Sequence, residues 1–224
     1  MLSEMFYKLW NNGLIQLGIW ETIYMTLISS AIAYLIGLPL GVILCITDDK
    51  GIQPNRPVNK ILGFVVNFFR SIPFIILMVA MLPVAKLIVG TSLGNKAMIV
   101  MLVIAAAPYV ARMCESSLSE VSAGVIEAAQ SMGANNFEII MKVLIPEAKP
   151  ALITGAAISV VTILGYSAMA ATIGGSGLGQ IAIIYGHQRS NPDITWICVF
   201  LTVIIVQIIQ ELGMFIVKKT DKRL

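Results

Sequence analysis

Ser119-Glu-Val-Ser-Ala-Gly-Val-Ile-Glu-Ala-Ala-Gln-Ser-Met-Gly-Ala-Asn-Asn-Phe-Glu-Ile-Ile-Met-Lys-Val-Leu-Ile-Pro146 stands between two apolar stretches, Ala97–Leu118 and Ala151–Ile173. The segment is too polar to lie in lipid, yet it is patterned as helix. Gly133 is expected to break it into two short helices. Asn135 then caps the second, with Glu138 placed to complete a capping box, and Pro146 is expected to end it. Phe137, Ile140, Met141 and Leu144 fall on one face at helical spacing. In water, such an amphipathic hairpin has to set its apolar face against its own bundle, the membrane surface or a partner protein. The pattern alone leaves all three open.

The chain around this loop is 58% hydrophobic and 12% charged, and its mean hydropathy is +0.88. A soluble domain is about 45–50% apolar, so a water-soluble fold could not hide this surface. Five stretches reach the roughly 20 residues that cross about 30 Å of hydrocarbon: Thr22–Thr47, Ile61–Val89, Ala97–Leu118, Ala151–Ile173 and Ile194–Val217. The fold class is therefore an all-α membrane protein with five transmembrane helices in one domain, residues 1–224, and a polar loop at 119–146.

The second span is the least regular. Arg70-Ser71-Ile72-Pro73 suggests an interfacial helix that bends into the span at the proline. Arg70 either snorkels to the headgroups or faces a wet cavity. Small residues and prolines mark the interiors: Gly37, Pro39 and Gly41 in the first span, Pro108 in the third, and Gly155, Ala156, Ala157 and Gly165 in the fourth. Small side chains let membrane helices approach closely, so the third and fourth spans are expected inside the bundle.

Orientation follows from Lys and Arg between the spans. One side holds Lys50, Arg56, Lys60, Arg112, Lys142, Lys149, Lys218, Lys219, Lys222 and Arg223, and the other holds Lys8, Lys86, Lys96 and Arg189. The richer side belongs in the cytoplasm, which puts the N-terminus outside and the C-terminus inside. The net charge of +3 needs no nucleic acid to explain it. The first twenty residues carry Glu4, Lys8, Asn11, Asn12 and Gln16, and do not read as a removable signal peptide; Tyr7, Trp10 and Trp20 suit a membrane interface.

Several chemistries lack the residues they need. Cys45, Cys114 and Cys198 are odd in number, show no C-x-x-C spacing and read as packing residues. His187 is the only histidine, so neither a histidine metal site nor a Ser-His-Asp triad can be built, and no cofactor or metal is expected. No pair of carboxylates lies within a span, which argues against a proton or sodium relay, while Glu115 and Glu211 fall near helix ends where basic groups or water can meet them. Gly174-Gly-Ser-Gly-Leu-Gly179 lacks the Lys-Ser or Lys-Thr of a phosphate loop, leaving two readings: a flexible external turn that touches a partner, or an ordinary helix-terminating turn. No repeat points to two inverted halves. With no energy source of its own, the chain needs a partner in order to pump.

Glu127-Ala128-Ala129, then Gly133, then Val143-Leu144-Ile145-Pro146 resembles the coupling-loop signature of binding-protein-dependent ABC importer permeases, with Val143 and Ile145 where isoleucine and leucine are more usual. Arg70-Ser-Ile-Pro-Phe-Ile-Ile-Leu77, Val89-Gly-Thr-Ser-Leu-Gly94, Ala107-Pro-Tyr-Val-Ala-Arg-Met113, Gly165-Tyr-Ser-Ala-Met169 and Gly177-Leu-Gly-Gln180 look like the permease subunits of methionine importers, over roughly residues 20 to 217. The resemblance implies the type I ABC importer permease fold and a subunit that moves methionine, with the enantiomer left open, across the cytoplasmic membrane. Another amino acid or small organic solute is the alternative cargo.

It also implies the partners: two copies of a cytoplasmic ATP-binding subunit, an extracytoplasmic methionine-binding protein and a second copy of the chain, all set about the lipid bilayer. ATP would be hydrolysed on the partner, so no catalytic residue is expected here. Coupling falls to Glu127, Ala128, Ala129, Gly133, Val143, Ile145 and Pro146. In that family the fourth-span region lines the route, which points to Tyr166, Ser167 and Met169, with Met169 either an apolar gate or a packing residue.

Overall fold

The computed structural model describes residues 4–220, and all regular structure among them is helical. In chain order the helices are α1 (Glu4–Asn11), α2 (Leu14–Thr47), α3 (Arg56–Ser71), α4 (Phe74–Ala80), α5 (Leu82–Val89), α6 (Asn95–Ser119), α7 (Ala123–Ser131) and α8 (Asn136–Ile139). They continue with α9 (Ile145–Glu147), α10 (Lys149–Ala170), α11 (Leu178–Ile181) and α12 (Pro192–Thr220). Wider π-helical turns occupy Ile140–Leu144 and Ala182–His187. Lys222 and Arg223, used above for orientation, lie outside the described residues.

The helices α2, α6, α10 and α12 are long and apolar enough to cross a membrane, α10 running on through a short 3-10 turn to Ile173. A fifth span arises if the broken pair α3 and α4 counts as one. In lipid a helix satisfies its own backbone, which is why the apolar stretches among the described residues fold as helices. At 34 residues α2 runs roughly 50 Å and begins at Leu14, ahead of the apolar stretch expected from Thr22. The break falls at Ile72-Pro73 as the sequence suggests: Pro73 has no N–H to donate and stands extended, φ −54 and ψ 134, at the start of α4. Ahead of it α3 is strongly two-faced, burying Gly63 and Val66 while Ile61, Phe64, Val65 and Phe68 stay exposed.

Burial separates spans of similar composition. The apolar window of α6 is 56% buried within the chain, against 33% for α2 and for α10 and 6% for α12. The expectation of an inner third span therefore holds, whereas the fourth is no more enclosed than the first. The physical reason lies on one side of α10, where Ile158, Gly165 and Met169 recur at helical spacing and stand uncovered.

The described residues form two compact units, to which each of those four helices contributes. The first takes in the chain up to Ile32 with Ile72–Ala106 and Val160–Gln210. Its core has a methionine-rich part, with Met25, Met78, Met98, Met101 and Leu102 buried together, and a second part around Ile15, Leu164, Leu178, Ile181 and Ile194. The unpaired thiol of Cys198 packs in the latter.

The second unit comprises Ala33–Ser71, Ala107–Ser159 and the chain from Glu211. Here α2 and α6 meet backbone to backbone. A Cβ on Gly37 would stand 2.7 Å from Val110 Cγ1, and one on Gly41 would stand 2.6 Å from Ala111 O. Gly37-Leu-Pro-Leu-Gly41 is thus a G-x-x-x-G contact, and those two small residues set the helix separation. Arg112 and Glu115 of α6 pair at 2.6 Å, and a second guanidinium nitrogen of Arg112 donates to Gly63 O of α3 at 3.3 Å.

Candidate coupling loop and transport residues

The loop folds as the sequence suggests up to Ile139. After α7, Met132 caps the helix and Gly133 turns left-handed, with φ +82. The Gly133 N–H donates to Gln130 O at 2.9 Å and the Ala134 N–H to Ala129 O at 3.1 Å, the paired bonds of a Schellman close. Only glycine holds this backbone cheaply, and nothing else crowds the site, so the requirement for glycine is conformational. Asn135 then caps α8: its Oδ1 accepts from the Glu138 N–H at 2.9 Å, and Glu138 Oε2 accepts from the Asn135 N–H at 3.2 Å. Lys142 Nζ lies 3.0 Å from Glu138 Oε1. That ammonium, together with the Asn135 N–H, holds the Glu138 carboxyl below the usual carboxylate range.

Two expectations are corrected beyond this point. Pro146 is not the last residue of a simple second helix; the chain widens into the π turn Ile140–Leu144 and re-enters α9, where Pro146 stands in the first turn, its missing donor leaves no gap, and the run closes one residue later at Glu147. The wide turn also shifts the side-chain register. Leu144 is buried against Leu118 and Ala148 and Ile139 is buried as well, whereas Phe137 and Met141 point to the surface and Ile140 is intermediate. The four residues assigned to one face by spacing are therefore divided between the inside and the outside.

The coupling residues divide in the same way. Glu127, Ala128, Gly133 and Pro146 are exposed, Val143 and Ile145 are half-buried, and Ala129 is buried. Ile145 packs with Ile126, Val121 and Ile52 around Leu118 and Leu144, which ties the loop to the unit's interior. On the outer side Met132 is 82% exposed and Phe137 72%, with Val125 and Met141 also uncovered. An apolar surface of this kind on a polar loop is the mark of an interaction site. Spacing points to Phe137 and Met141, but Met132 gains its exposure from the Schellman turn and leaves no periodic signal.

A further participant went unread in the sequence. The chain between α2 and α3 folds back, with the Gln53 N–H donating to Ile46 O and Asn59 Nδ2 to Leu44 O at 2.8 Å, and so satisfies carbonyls at the end of α2. Asn136 Nδ2 reaches Gln53 Oε1 at 3.3 Å. Between this segment and the loop lies a cleft of about 590 Å³ whose polar lining includes Asp48, Lys50, Glu115, Ser119, Glu127 and Gln130. Arg56 bonds Asp49 at 2.8 Å beside it and holds that carboxyl below its usual range.

Tyr166, Ser167 and Met169 belong to the other compact unit. The Tyr166 ring stacks on Phe74 of α4, with centroids 4.4 Å apart and planes 7° off parallel. Ser167 is buried, its hydroxyl donating to Leu164 O at 2.7 Å. Met169 alone among the three stands exposed. His187 is an exposed residue, and the described residues contain no cluster of three or more His, Cys, Asp or Glu that could hold a metal.

Long lipid-suited helices joined by a firmly folded polar loop with an uncovered apolar face define a multi-pass membrane protein. The family model described as the binding-protein-dependent transport system inner membrane component matches residues 37–224, and the chain belongs to that family. The "Probable D-methionine transport system permease protein MetI" of Vibrio cholerae serotype O1 is 49% identical, with 95% of each chain covered. The "Methionine import system permease protein MetP" of Bacillus subtilis strain 168 is 46% identical, covering 96% of this chain and 95% of that one. Among solved structures, an inward-facing conformation of the MetNI methionine ABC transporter superposes with a TM-score of 0.92 at 44% identity, covering 93% of this chain and 97% of that one. An amino acid ABC transporter at 18% identity and a TM-score of 0.79 shares the fold.

Proposed function

We propose that this chain is the permease subunit of an ABC importer for methionine, working as a pair of copies with a separate cytoplasmic ATPase and an extracytoplasmic binding protein. The observation that carries this reading is near-half identity to methionine permeases along almost the whole chain, joined to an MetNI-like fold. The chain itself is a transport subunit and not an enzyme; hydrolysis belongs to the ATPase. The whole of residues 1–224 acts as one permease domain, with the N-terminus outside and the C-terminus in the cytoplasm. Lys50, Arg56, Lys60, Arg112, Lys142 and Lys149 support that orientation, since they gather on the side of the 119–146 loop.

In this reading the exposed face of α7 and α8 is the surface that meets the ATPase. Glu127, Ala128 and Gly133 lie at the contact; Ala129, Val143, Ile145 and Pro146 hold the loop in shape. Closure of two ATPases on nucleotide moves the loops as bodies, because the packing of Leu144, Ile145 and Leu118 leaves them little freedom to bend separately. The uncovered side of α10 faces the second copy and the route between the two, so Met169 touches the pathway while Tyr166 and Ser167 shape the helix that carries it.

The test is ATP-dependent uptake of radiolabelled methionine into proteoliposomes, with unlabelled amino acids as competitors. Uptake is expected only when the chain, the ATPase and the binding protein are all present, and excess methionine should abolish it. Uptake by the chain alone would overturn the importer reading, and undiminished uptake of a different amino acid in the presence of excess methionine would overturn the cargo.

A further inference from the structure

We propose that Glu21, Asn95 and Ser176 are positioning residues that brace the glycine turn after α10, and that the brace keeps ATP hydrolysis coupled to cargo movement. The proposal rests on the importer reading above.

Glu21 is a carboxylate at the edge of the first apolar span, where a charge is costly unless it has partners. Asn95, the first residue of α6, supplies one: its Nδ2 donates to Glu21 Oε1 at 2.9 Å. The other end of the same amide accepts the Ser176 hydroxyl. A single side chain thus links α2, the start of α6 and the turn that follows α10. One backbone bond and two bonds of the Thr22 hydroxyl run alongside it: the Gly94 N–H donates to Gly174 O at 3.3 Å, the Leu178 N–H donates to Thr22 Oγ1 at 2.9 Å, and the Thr22 hydroxyl donates to Gly18 O at 2.8 Å.

The turn has no room to settle elsewhere. Gly174 and Gly177 stand at φ +91 and +97, a region that side-chain-bearing residues rarely adopt. A Cβ on Gly177 would lie 2.6 Å from Thr22 Oγ1, one on Gly179 2.6 Å from Ala168 O, and one on Gly18 2.5 Å from Ile181 Cδ1. The turn is therefore a packed joint. It is also fastened to the end of α10, since the Gly175 N–H donates to Ala170 O at 3.0 Å and the Thr172 hydroxyl to Met169 O at 2.8 Å. Apolar packing in lipid fixes a helix poorly along its own axis, because one apolar contact replaces another at little cost. Directional bonds fix it well, and these bonds set the position of the last turn of α10, Met169 included.

The test uses the whole reconstituted complex and reads methionine moved per ATP hydrolysed. Asn95→Leu keeps the size and removes both bonds; the ratio is expected to fall about 25-fold, about fivefold for each of the two hydrogen bonds lost, with hydrolysis continuing. Glu21→Gln keeps the acceptor and is expected to behave as wild type, while Glu21→Leu, which removes one of the two bonds, should lower the ratio about fivefold. A general loss of folding would lower transport and hydrolysis together, so an unchanged ratio in Asn95→Leu would overturn the brace, as would equal losses in Glu21→Gln and Glu21→Leu. Should the wild-type complex move no methionine, the importer reading fails on its own, and the brace is still read by labelling Met169→Cys with an impermeant maleimide. Labelling is expected to be faster when Asn95→Leu is added, and equal rates would overturn the proposal.

Discussion

The apolar windows of α6 and α12 have nearly the same mean hydropathy, 2.0 and 2.1, yet the first is 56% buried in the chain and the second 6%. In water that difference would be written in composition, because an exposed helix face has to be polar. In lipid both surroundings are apolar, and hydrophobicity no longer distinguishes inside from outside. What does distinguish them is how closely a neighbour can come. Against α6 stand Gly37 and Gly41 of α2, Ala106 and Ala111 are fully buried on α6 itself, and Arg112 and Glu115 bond within the protein. Helix α12 instead turns Trp196, Phe200, Val203, Ile208, Leu212 and Phe215 outward.

The largest expected effect lies at the closest approach. Gly41→Val would drive its Cβ into Ala111 O and Cys114 Cβ, both at 2.6 Å. Backbone cannot give way as a flexible side chain can, so a loss near ~3 kcal/mol, the upper end for overpacking, is expected. It would appear as a sharply lowered thermal midpoint in detergent, and a wild-type midpoint would break the comparison. Next, Leu102→Ala, fully buried on α6, should cost about 2 kcal/mol. That is the lower part of the range for such truncations, because the side chain leaves apolar surroundings in the unfolded membrane state as well. At the small end, Phe200→Ala on the outward face of α12 should change the midpoint by less than about 0.5 kcal/mol. A loss comparable to that of Leu102→Ala would mean that this face of α12 is covered in the assembled protein.

Between these lies the polar loop, where turn and cap chemistry adds to burial. Asn135→Ala removes the cap of α8 and should cost about 1 kcal/mol, read by the same thermal midpoint. Glu138 gives this region a pH signature. Its carboxyl titrates below the usual range when folded, owing to Lys142 and the Asn135 N–H, so the stabilisation is present above the unfolded-state value and is lost as pH falls through the folded one. The difference between wild type and Glu138→Gln should therefore be full at neutral pH and vanish in acid. A difference that grows on acidification would contradict the capping geometry.

How much was legible in the sequence follows from the same physics. Length and apolarity mark the spans, because crossing lipid leaves few alternatives, and the break at Pro73 is readable because proline lacks a donor. Gly133 and the Asn135–Glu138 box were legible since turn and cap chemistry are local. The π turn was not: one residue more per turn leaves no local mark, yet it sends Leu144 inward while Phe137 stays outside, and it carries Pro146 into the short α9, which ends at Glu147. The depth of α10 was misjudged because small residues permit close packing without saying which chain supplies the neighbour. The Glu21–Asn95–Ser176 link joins residues far apart in sequence and was invisible for that reason. Gln53, which meets Asn136, carries no local pattern that marks it.

The central claim is that the uncovered apolar face of α7 and α8 receives the ATPase. Phe137→Glu tests it most directly, because Phe137 is 72% exposed and its replacement leaves the chain's own core intact. The measurement is ATP-dependent methionine uptake by the reconstituted complex, normalised to the amount of inserted permease. A loss of most uptake, with insertion and thermal midpoint unchanged, is the predicted result; wild-type uptake by Phe137→Glu would contradict the assignment of this face to the ATPase.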